Sequence, residues 1–226
     1  MKIIVTGSSG GNGTAVAKRF ISLGHTVYGI DILKQSFTDD NYFHCQCDIR
    51  NPEELPDIDG VGIIFNNAGT QNGDDIGVNL KGAINVTEKF IADKSELRSV
   101  LFNASASAVS GQEFPEYCAS KSGLIGYMKN TAIRLAPYGV TCNAISLGGV
   151  LTSLNDPVVN DKDCWERIMK VTPFKKWMTP EEVADWVVFL TLTNRSMSGE
   201  NLLIDNGEKN LNPTFVWPEN DRGRLL

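Results

Sequence analysis

Residues 2–31, KIIVTGSSGGNGTAVAKRFISLGHTVYGID, decide how the rest of the chain is read. Residues 2–5 form a short apolar, β-branched run of the kind that makes a buried strand. Residues 6–13 follow with four glycines. Over residues 14–23, Val16, Ala17, Phe20, Ile21 and Leu23 recur at helical spacing, and Gly24 supplies a helix stop. Residues 25–30 are a second β-rich run that ends on Asp31. Strand, glycine turn, helix, strand and terminal acid make one βαβ unit. Glycines at such a turn take positive φ and carry no Cβ, so backbone N–H groups can approach a pyrophosphate. The helix N-terminus then meets the anion with unsatisfied donors and a favourable dipole. An acid about twenty residues further on sits where a carboxylate accepts hydrogen bonds from an adenosine ribose. The stretch therefore predicts a dinucleotide site, with Gly7, Ser9, Gly11, Asn12 and Gly13 in the turn and Asp31 and Ile32 at the ribose. Asp31 would repel a 2′-phosphate and the turn offers no Arg or Lys to receive one, so NAD(H) is expected in preference to NADP(H).

Beyond this unit, strands and helices keep alternating. Strands are expected over 42–47, 62–65, 99–103, 139–145 and 201–204, and helices over 80–91, 116–135 and 180–192. Thr179 is placed to cap the last helix, and Glu181 and Glu182 suit its N-terminal dipole. The pattern predicts an α/β fold: a Rossmann-type, doubly wound parallel β-sheet with helices on both faces, in a single domain over 1–226. Ligands of such sheets bind beyond the carboxyl ends of the strands. Asp31, Asp48, Asn66, Ser105 and Leu147-Gly148 all fall at such ends.

A chain of 226 residues is long enough for one large core. Its net charge of −6 argues against a nucleic-acid partner, which needs a basic face. The chain starts Met-Lys and runs into a strand rather than a signal peptide, and no apolar run approaches membrane-spanning length. A cytoplasmic location with no membrane partner is expected. The five cysteines include no C-x-x-C pair and only His25 and His44 could assist them, so buried free thiols are expected and no metal site.

The glycine spacing, T-G-x-x-x-G-x-G over residues 6–13, resembles the turn of the short-chain dehydrogenase/reductase family in its non-extended branch, with Asn12 at a usually apolar position. Further matches run through nearly the whole length. Asp48-Ile49 resembles the acid–apolar pair that contacts adenine, and Asn66-Asn67-Ala68-Gly69 matches the N-N-A-G that closes the fourth strand. Val78-Asn79-Leu80 resembles the segment that carries the family's catalytic Asn, and Tyr117-Cys-Ala-Ser-Lys121 matches Y-x-A-S-K. Residues 143–152 resemble N-x-x-x-P-G-x-x-x-T with Leu147 in the proline position, a change expected to loosen the loop that carries Val150 and Thr152. The resemblance implies a cofactor site that includes Asp48, Ile49, Asn66, Ala68, Gly69, Tyr117, Lys121, Val150 and Thr152. Only nine residues separate Gly69 from Asn79, so the helix leading to Asn79 is shorter than the family usually shows. That helix often builds a subunit interface, and the implied homo-oligomer (a dimer or tetramer) would be altered or smaller.

Tyr117 and Lys121 are four apart on one helix and so share a face. A phenol with a pKa near ~10 is a poor base at neutral pH. A neighbouring ammonium, with the positive nicotinamide of NAD⁺, would favour the phenolate and lower that value. Tyr117 could then take a proton from an alcohol or give one to a ketone. Ser105 is chosen to hold the substrate oxygen, being six residues before Gly111 and twelve before Tyr117, with Ser107 as the alternative. By resemblance, Asn79 would hold a water linking Lys121 to solvent, and Lys121 would also touch the nicotinamide ribose. The segment 151–178 is expected to set substrate specificity. Trp165, Ile168, Met169 and Phe174 suit a hydrophobic small molecule such as a steroid or aromatic carbonyl, though they could equally pack the loop onto the body. The tail 208–226 offers Phe215 and Trp217 to the cleft or to a partner subunit. The leading reading is an NAD(H)-dependent oxidoreductase that interconverts a secondary alcohol and a ketone. The alternatives are a non-catalytic NAD(H)-binding sensor or scaffold and a reductase of 3-oxoacyl groups on a carrier protein.

Overall fold

A computed structural model describes residues 1–211, and the Phe215 and Trp217 expectation lies outside them. Seven strands are found: β1 (Lys2–Thr6), β2 (Thr26–Asp31), β3 (Tyr42–Gln46), β4 (Val61–Asn66), β5 (Ser99–Asn103), β6 (Thr141–Leu147) and β7 (Asn201–Ile204). They form one all-parallel sheet in the order β3-β2-β1-β4-β5-β6-β7. The order reverses between β1 and β4, and that switch point opens the crevice where ligands of this architecture bind.

Helices cover both faces. α1 (Gly11–Ser22) and α7 (Pro180–Val188) pack against each other over a core that includes Ile3, Val5, Phe20, Phe65 and Val187. α2 (Ala83–Phe90) and α4 (Pro115–Leu135) cover the other face, over Ile4, Ile64, Phe102, Leu124 and Met128. Strands buried on both faces read as continuous apolar runs. β4 and β6 are buried at every residue, which is why their sequences show no alternation.

The differences from the expected elements have local causes. α1 starts at Gly11 because its first turn is Gly11-Asn12-Gly13, which carries no apolar mark. Gly139 takes φ +69 and closes the turn before β6, and β6 continues to Leu147 because its end pairs with β7. The helix expected over 80–91 is α2 preceded by a wide π turn at Ile76–Gly82, and α7 runs into a second such turn at Phe189–Thr193. Three short helices were not anticipated: α3 (Ser107–Ser110), α5 (Asp156–Val159) and α6 (Lys162–Val171). All five thiols are free, but only Cys47 and Cys142 are buried; Cys45, Cys118 and Cys164 are half-buried, which corrects the expectation for those three. No described helix is long and apolar enough to cross a membrane. Among the described residues no group of three or more His, Cys, Asp or Glu is placed to hold a metal ion.

Candidate active site

A cleft of about 1040 Å³ runs along the carboxyl ends of the strands. Gly7, Gly11, Asn12, Asp31, Ile32, Asp48 and Ile49 line one end, and Ala68 and Gly69 its middle. Ser105, Tyr117 and Lys121 line the other end, faced by Val150 and Thr152 from the loop after β6. The close packing depends on glycine. A Cβ on Gly11 would lie 2.6 Å from Thr152 Cγ2, and one on Gly7, whose φ is +66, would lie 2.8 Å from Ala68 Cα.

Asp31 is buried, at 8 % exposure. Its Oδ2 accepts from the Ser9 amide at 2.8 Å and its Oδ1 from the Leu33 amide at 2.8 Å. The acid is thus locked onto the glycine turn before any ligand arrives. Asp48 is gripped by Arg50, whose Nε donates to Oδ1 at 3.1 Å and Oδ2 at 3.0 Å, and whose Nη1 reaches Asp74 at 2.8 Å. The guanidinium holds the Asp48 carboxyl below its ordinary range. Arg50 also lines the cleft, and nothing in its sequence context marked it.

Four expected site residues do not reach the cleft wall. Gly13 faces the turn instead, where a Cβ would sit 2.0 Å from Gly7 O, so its role is close packing of α1 on the turn. Ser9 acts through its amide, and its hydroxyl is buried without a partner. Asn66 is a correction, because its amide turns the other way and donates to Thr87 Oγ1 at 3.0 Å under the sheet. Successive strand residues alternate faces, so it is Asn67 that lines the cleft and donates to Thr6 O at 3.0 Å. Asn79 lies just behind the wall in the π turn, at 1 % exposure. Its Oδ1 accepts from the Thr70 amide at 2.8 Å and its Nδ2 donates to Ser120 Oγ at 3.0 Å.

At the far end, Lys121 donates from Nζ to Asn103 O at 2.7 Å, with Nζ 5.8 Å from the centre of the Tyr117 ring. Ser105 lines the cleft with Tyr117, whereas Ser107 lies behind it and accepts from Ser105 Oγ at 3.0 Å. Burial pushes the Tyr117 phenol up to about 12, with the nearby Ser105 hydroxyl pulling the other way and Glu113 and Asp75 adding to the rise. Burial pushes Lys121 down to about 8, against an opposing pull from Asp75. Desolvation is the largest cause at both groups, and at neutral pH both hold their protons.

The loop after β6 is not loose despite Leu147. Leu151 donates to Met178 O at 2.9 Å and Met178 to Gly149 O at 3.1 Å, so the loop is laddered to residues 177–178. The Trp177 indole fills the space where a Gly149 Cβ would be, which would fall 2.0–2.2 Å from the ring atoms. Of the four apolar residues expected to face substrate, only Ile168 lines the cleft. Phe174 is exposed, and Trp165 packs edge-on to Trp177 with centroids 5.2 Å apart. The opposite wall is polar: Lys209 Nζ donates to Gln112 Oε1 at 2.5 Å and to Glu208 Oε1 at 2.8 Å.

Comparison with known proteins agrees with this architecture. A family model described as enoyl-(acyl carrier protein) reductase matches residues 7–209. The chain is 29 % identical to a 3-oxoacyl-[acyl-carrier-protein] reductase of Rickettsia bellii, over 90 % of this chain and 95 % of that one. It is 32 % identical to (+)-borneol dehydrogenase 1 of Salvia officinalis, over 93 % and 94 % of the two chains. Among solved structures, the aldohexose dehydrogenase of Thermoplasma acidophilum in ligand-free form superposes with a TM-score of 0.84 at 26 % identity, covering 96 % of this chain and 97 % of that one. The βαβ glycine turn, the seven-stranded parallel sheet and these matches along the whole length lead to one assignment: the chain belongs to the short-chain dehydrogenase/reductase family of oxidoreductases.

Proposed function

We propose that the protein interconverts a secondary alcohol and a ketone with a nicotinamide dinucleotide, NAD(H) in preference to NADP(H). The observation that carries this reading is one cleft holding both a glycine turn with a locked acid and the Ser105–Tyr117–Lys121 group. The residues present fit a dinucleotide. Gly7 and Gly11 leave a cradle that a Cβ would fill, and the buried Ser9 Oγ, Asn12 Oδ1 and Asn103 Oδ1 have no partner within the protein. In this reading Gly7, Gly11 and Asn12 hold the pyrophosphate, and Ser9 sets the turn through its amide bond to Asp31. Asp31, with Ile32, takes the adenosine ribose; Asp48 and Ile49 flank the adenine, and Ala68, Gly69, Val150 and Thr152 line the path to Lys121. Asp31 disfavours a 2′-phosphate, and Arg50, the cation nearest in sequence to Asp48, is already shared between Asp48 and Asp74.

The dinucleotide, when bound, supplies or removes hydride at the substrate carbon. Tyr117 gives its phenolic proton to the carbonyl oxygen in reduction and takes it back in oxidation. Ser105, which lines the same cleft, holds the same oxygen. Lys121 supplies the nearby positive charge, and Asn79 fixes the turn at Thr70 that walls its side. Leu154, Val158, Ile168 and Trp177 on one wall and Gln112, Glu113 and Lys209 on the other suit a carbonyl compound with an apolar body and a polar edge. A cytoplasmic homo-oligomer remains the expected context, checked by light scattering on the purified protein.

The relatives include a reductase of carrier-bound 3-oxoacyl groups, which keeps that substrate class as a second reading. The decisive experiment is a fluorescence titration with NADH and NADPH on the wild type and on Asp31→Ala. NADH should bind more tightly, and the variant should lose that preference. A protein that binds neither nucleotide sinks the proposal. Turnover of ketones should vanish in Tyr117→Phe while NADH binding remains; binding without turnover of any carbonyl would favour a sensor or scaffold.

A further inference from the structure

Ile32 and Leu33 follow Asp31 at one end of the cleft, and both are exposed, at 58 % and 60 %. Apolar packing therefore does little to hold them. Their backbone is held from β3 instead. The Asp31 carbonyl accepts from the Cys47 amide at 2.9 Å, the Ile32 carbonyl accepts from Gln46 Nε2 at 3.1 Å, and the Leu33 carbonyl meets His44 Nε2 at 3.0 Å. A carbonyl can only accept, so that ring nitrogen carries a proton and donates. Gln46 and His44 thus extend the β2–β3 ladder two residues past the end of β2, with side chains in place of amides.

Tyr42, His44 and Gln46 alternate along β3 and so share one face. Tyr42 is buried and crosses β2 at Gly29, where a Cβ would fall 2.2 Å from the phenol oxygen. Its Oη donates to Ser8 Oγ in the glycine turn at 2.9 Å and lies 3.2 Å from His44 Nδ1. A closed circuit results. The Ser9 and Leu33 amides grip the two oxygens of Asp31, and Ser8 and Leu33 are joined to each other through Tyr42 and His44. Each carboxylate oxygen keeps a lone pair for a ligand.

We propose that Tyr42 and His44 are positioning residues that fix the direction in which Asp31 presents its oxygens to the cleft, and so set the preference for an adenosine ribose without a 2′-phosphate. The fixing is a property of the folded protein; only its consequence for the ribose rests on the dinucleotide reading above. A carboxylate already fixed accepts from ribose hydroxyls without first having to be ordered. A dinucleotide with a 2′-phosphate gains nothing from that fixing, since the phosphate replaces the hydroxyl and is repelled by the acid. Loosening the circuit should thus weaken NADH and leave NADPH unchanged or tighter, whereas general damage to the glycine turn would weaken both alike.

The test joins hydrogen exchange at the Ser9 and Leu33 amides, followed by NMR in the ligand-free full chain, to fluorescence titrations with NADH and NADPH. The proteins are wild type, Tyr42→Phe and His44→Ala. Tyr42→Phe keeps the ring that packs on Phe37 with centroids 4.2 Å apart, and His44 is half-buried, so both variants leave the core filled. Exchange at Leu33 should quicken several-fold in both. The ratio of NADH to NADPH affinity should fall by roughly threefold to tenfold, the worth of one hydrogen bond. In an Asp31→Ala background, Tyr42→Phe should no longer move that ratio. If Tyr42→Phe does not fold, His44→Ala carries the same two readouts. Unchanged exchange at Leu33, or a ratio at the wild-type value in a protein that binds both nucleotides, overturns the proposal. Quickened exchange in a protein whose wild type binds neither nucleotide would uphold the fixing of Asp31 and sink the dinucleotide reading instead.

Discussion

Replacing Gly149 by alanine should destabilise the protein severely, and Trp177 is the reason. A Cβ at 149 would fall 2.0–2.2 Å from three atoms of the indole. Carbon atoms pack at about 3.5–4.0 Å, so the ring would have to retreat by about 1.5 Å. A flat, rigid side chain has little room to do so, because Trp165 stands edge-on against it with centroids 5.2 Å apart. If the indole is driven out, the cost is that of losing a buried tryptophan, about 3–5 kcal/mol. If the backbone yields instead, overpacking costs about 1–3 kcal/mol and the Gly149–Met178 ladder breaks. Urea unfolding followed by circular dichroism and by tryptophan fluorescence would measure this in four proteins: wild type, both single variants and Gly149→Ala/Trp177→Ala. With Trp177 already removed, the added methyl has space. Gly149 is not among the glycines at positive φ, so alanine there should be neutral or stabilising by about 0.4–1 kcal/mol through the unfolded chain. The reasoning is refuted if Gly149→Ala costs less than about 1 kcal/mol in the wild type, or costs the same whether or not Trp177 is present.

Three further outcomes are expected. Thr179→Ala removes a complete capping box, with Thr179 Oγ1 accepting from the Glu182 amide and Glu182 accepting from the Thr179 amide, and should lower the unfolding free energy by about 1 kcal/mol in urea. Asn66→Ala and Asn67→Ala should part company: the first costs stability, about 1–2 kcal/mol by stranding Thr87, while the second weakens NADH binding several-fold by releasing the glycine turn. Glu88 is held below its ordinary 4.5 by the Arg134 guanidinium and the Tyr127 hydroxyl. Its contribution is present above that value and lost as pH falls through the lowered one, so Glu88→Gln should flatten the acid end of the stability curve.

Much of this was written in local sequence. The βαβ unit could be read because each part carries a pattern of its own, and Asp31 because it ends a strand. Tyr117 and Lys121 could be read because four residues on a helix fix a shared face. What escaped depends on contacts between distant segments. Trp177 meets Gly149 only because residues 177–178 ladder onto the loop after β6. Arg50 joins Asp48 beside it to Asp74, 24 residues further along the chain. Asn66 and Asn67 were separable in principle, since neighbours on a strand face opposite ways, but the end of β4 had to be known to one residue. The π turn at Ile76–Gly82 has no mark in the sequence, and it carries Asn79 behind the cleft wall.

The protonation of Tyr117 and Lys121 bears on the direction of the reaction. A lysine next to a phenol lowers the phenol's pKa when only their mutual field is counted. Here both groups are buried, and desolvation moves them toward their neutral forms from opposite sides, the phenol up to about 12 and the lysine down to about 8. As pH rises, therefore, the lysine gives up its charge before the tyrosine gives up its proton. The protein's resting state at neutral pH is a proton donor beside a cation, which is the arrangement that carbonyl reduction uses directly. Oxidation asks more: Tyr117 must become a base in a cleft that resists its ionisation. That requires positive charge beyond what Lys121 offers, and a bound ligand is where it would have to come from. The two directions should accordingly differ in pH dependence, reduction falling as Lys121 loses its proton and oxidation depending on how far the occupied cleft lowers the phenol.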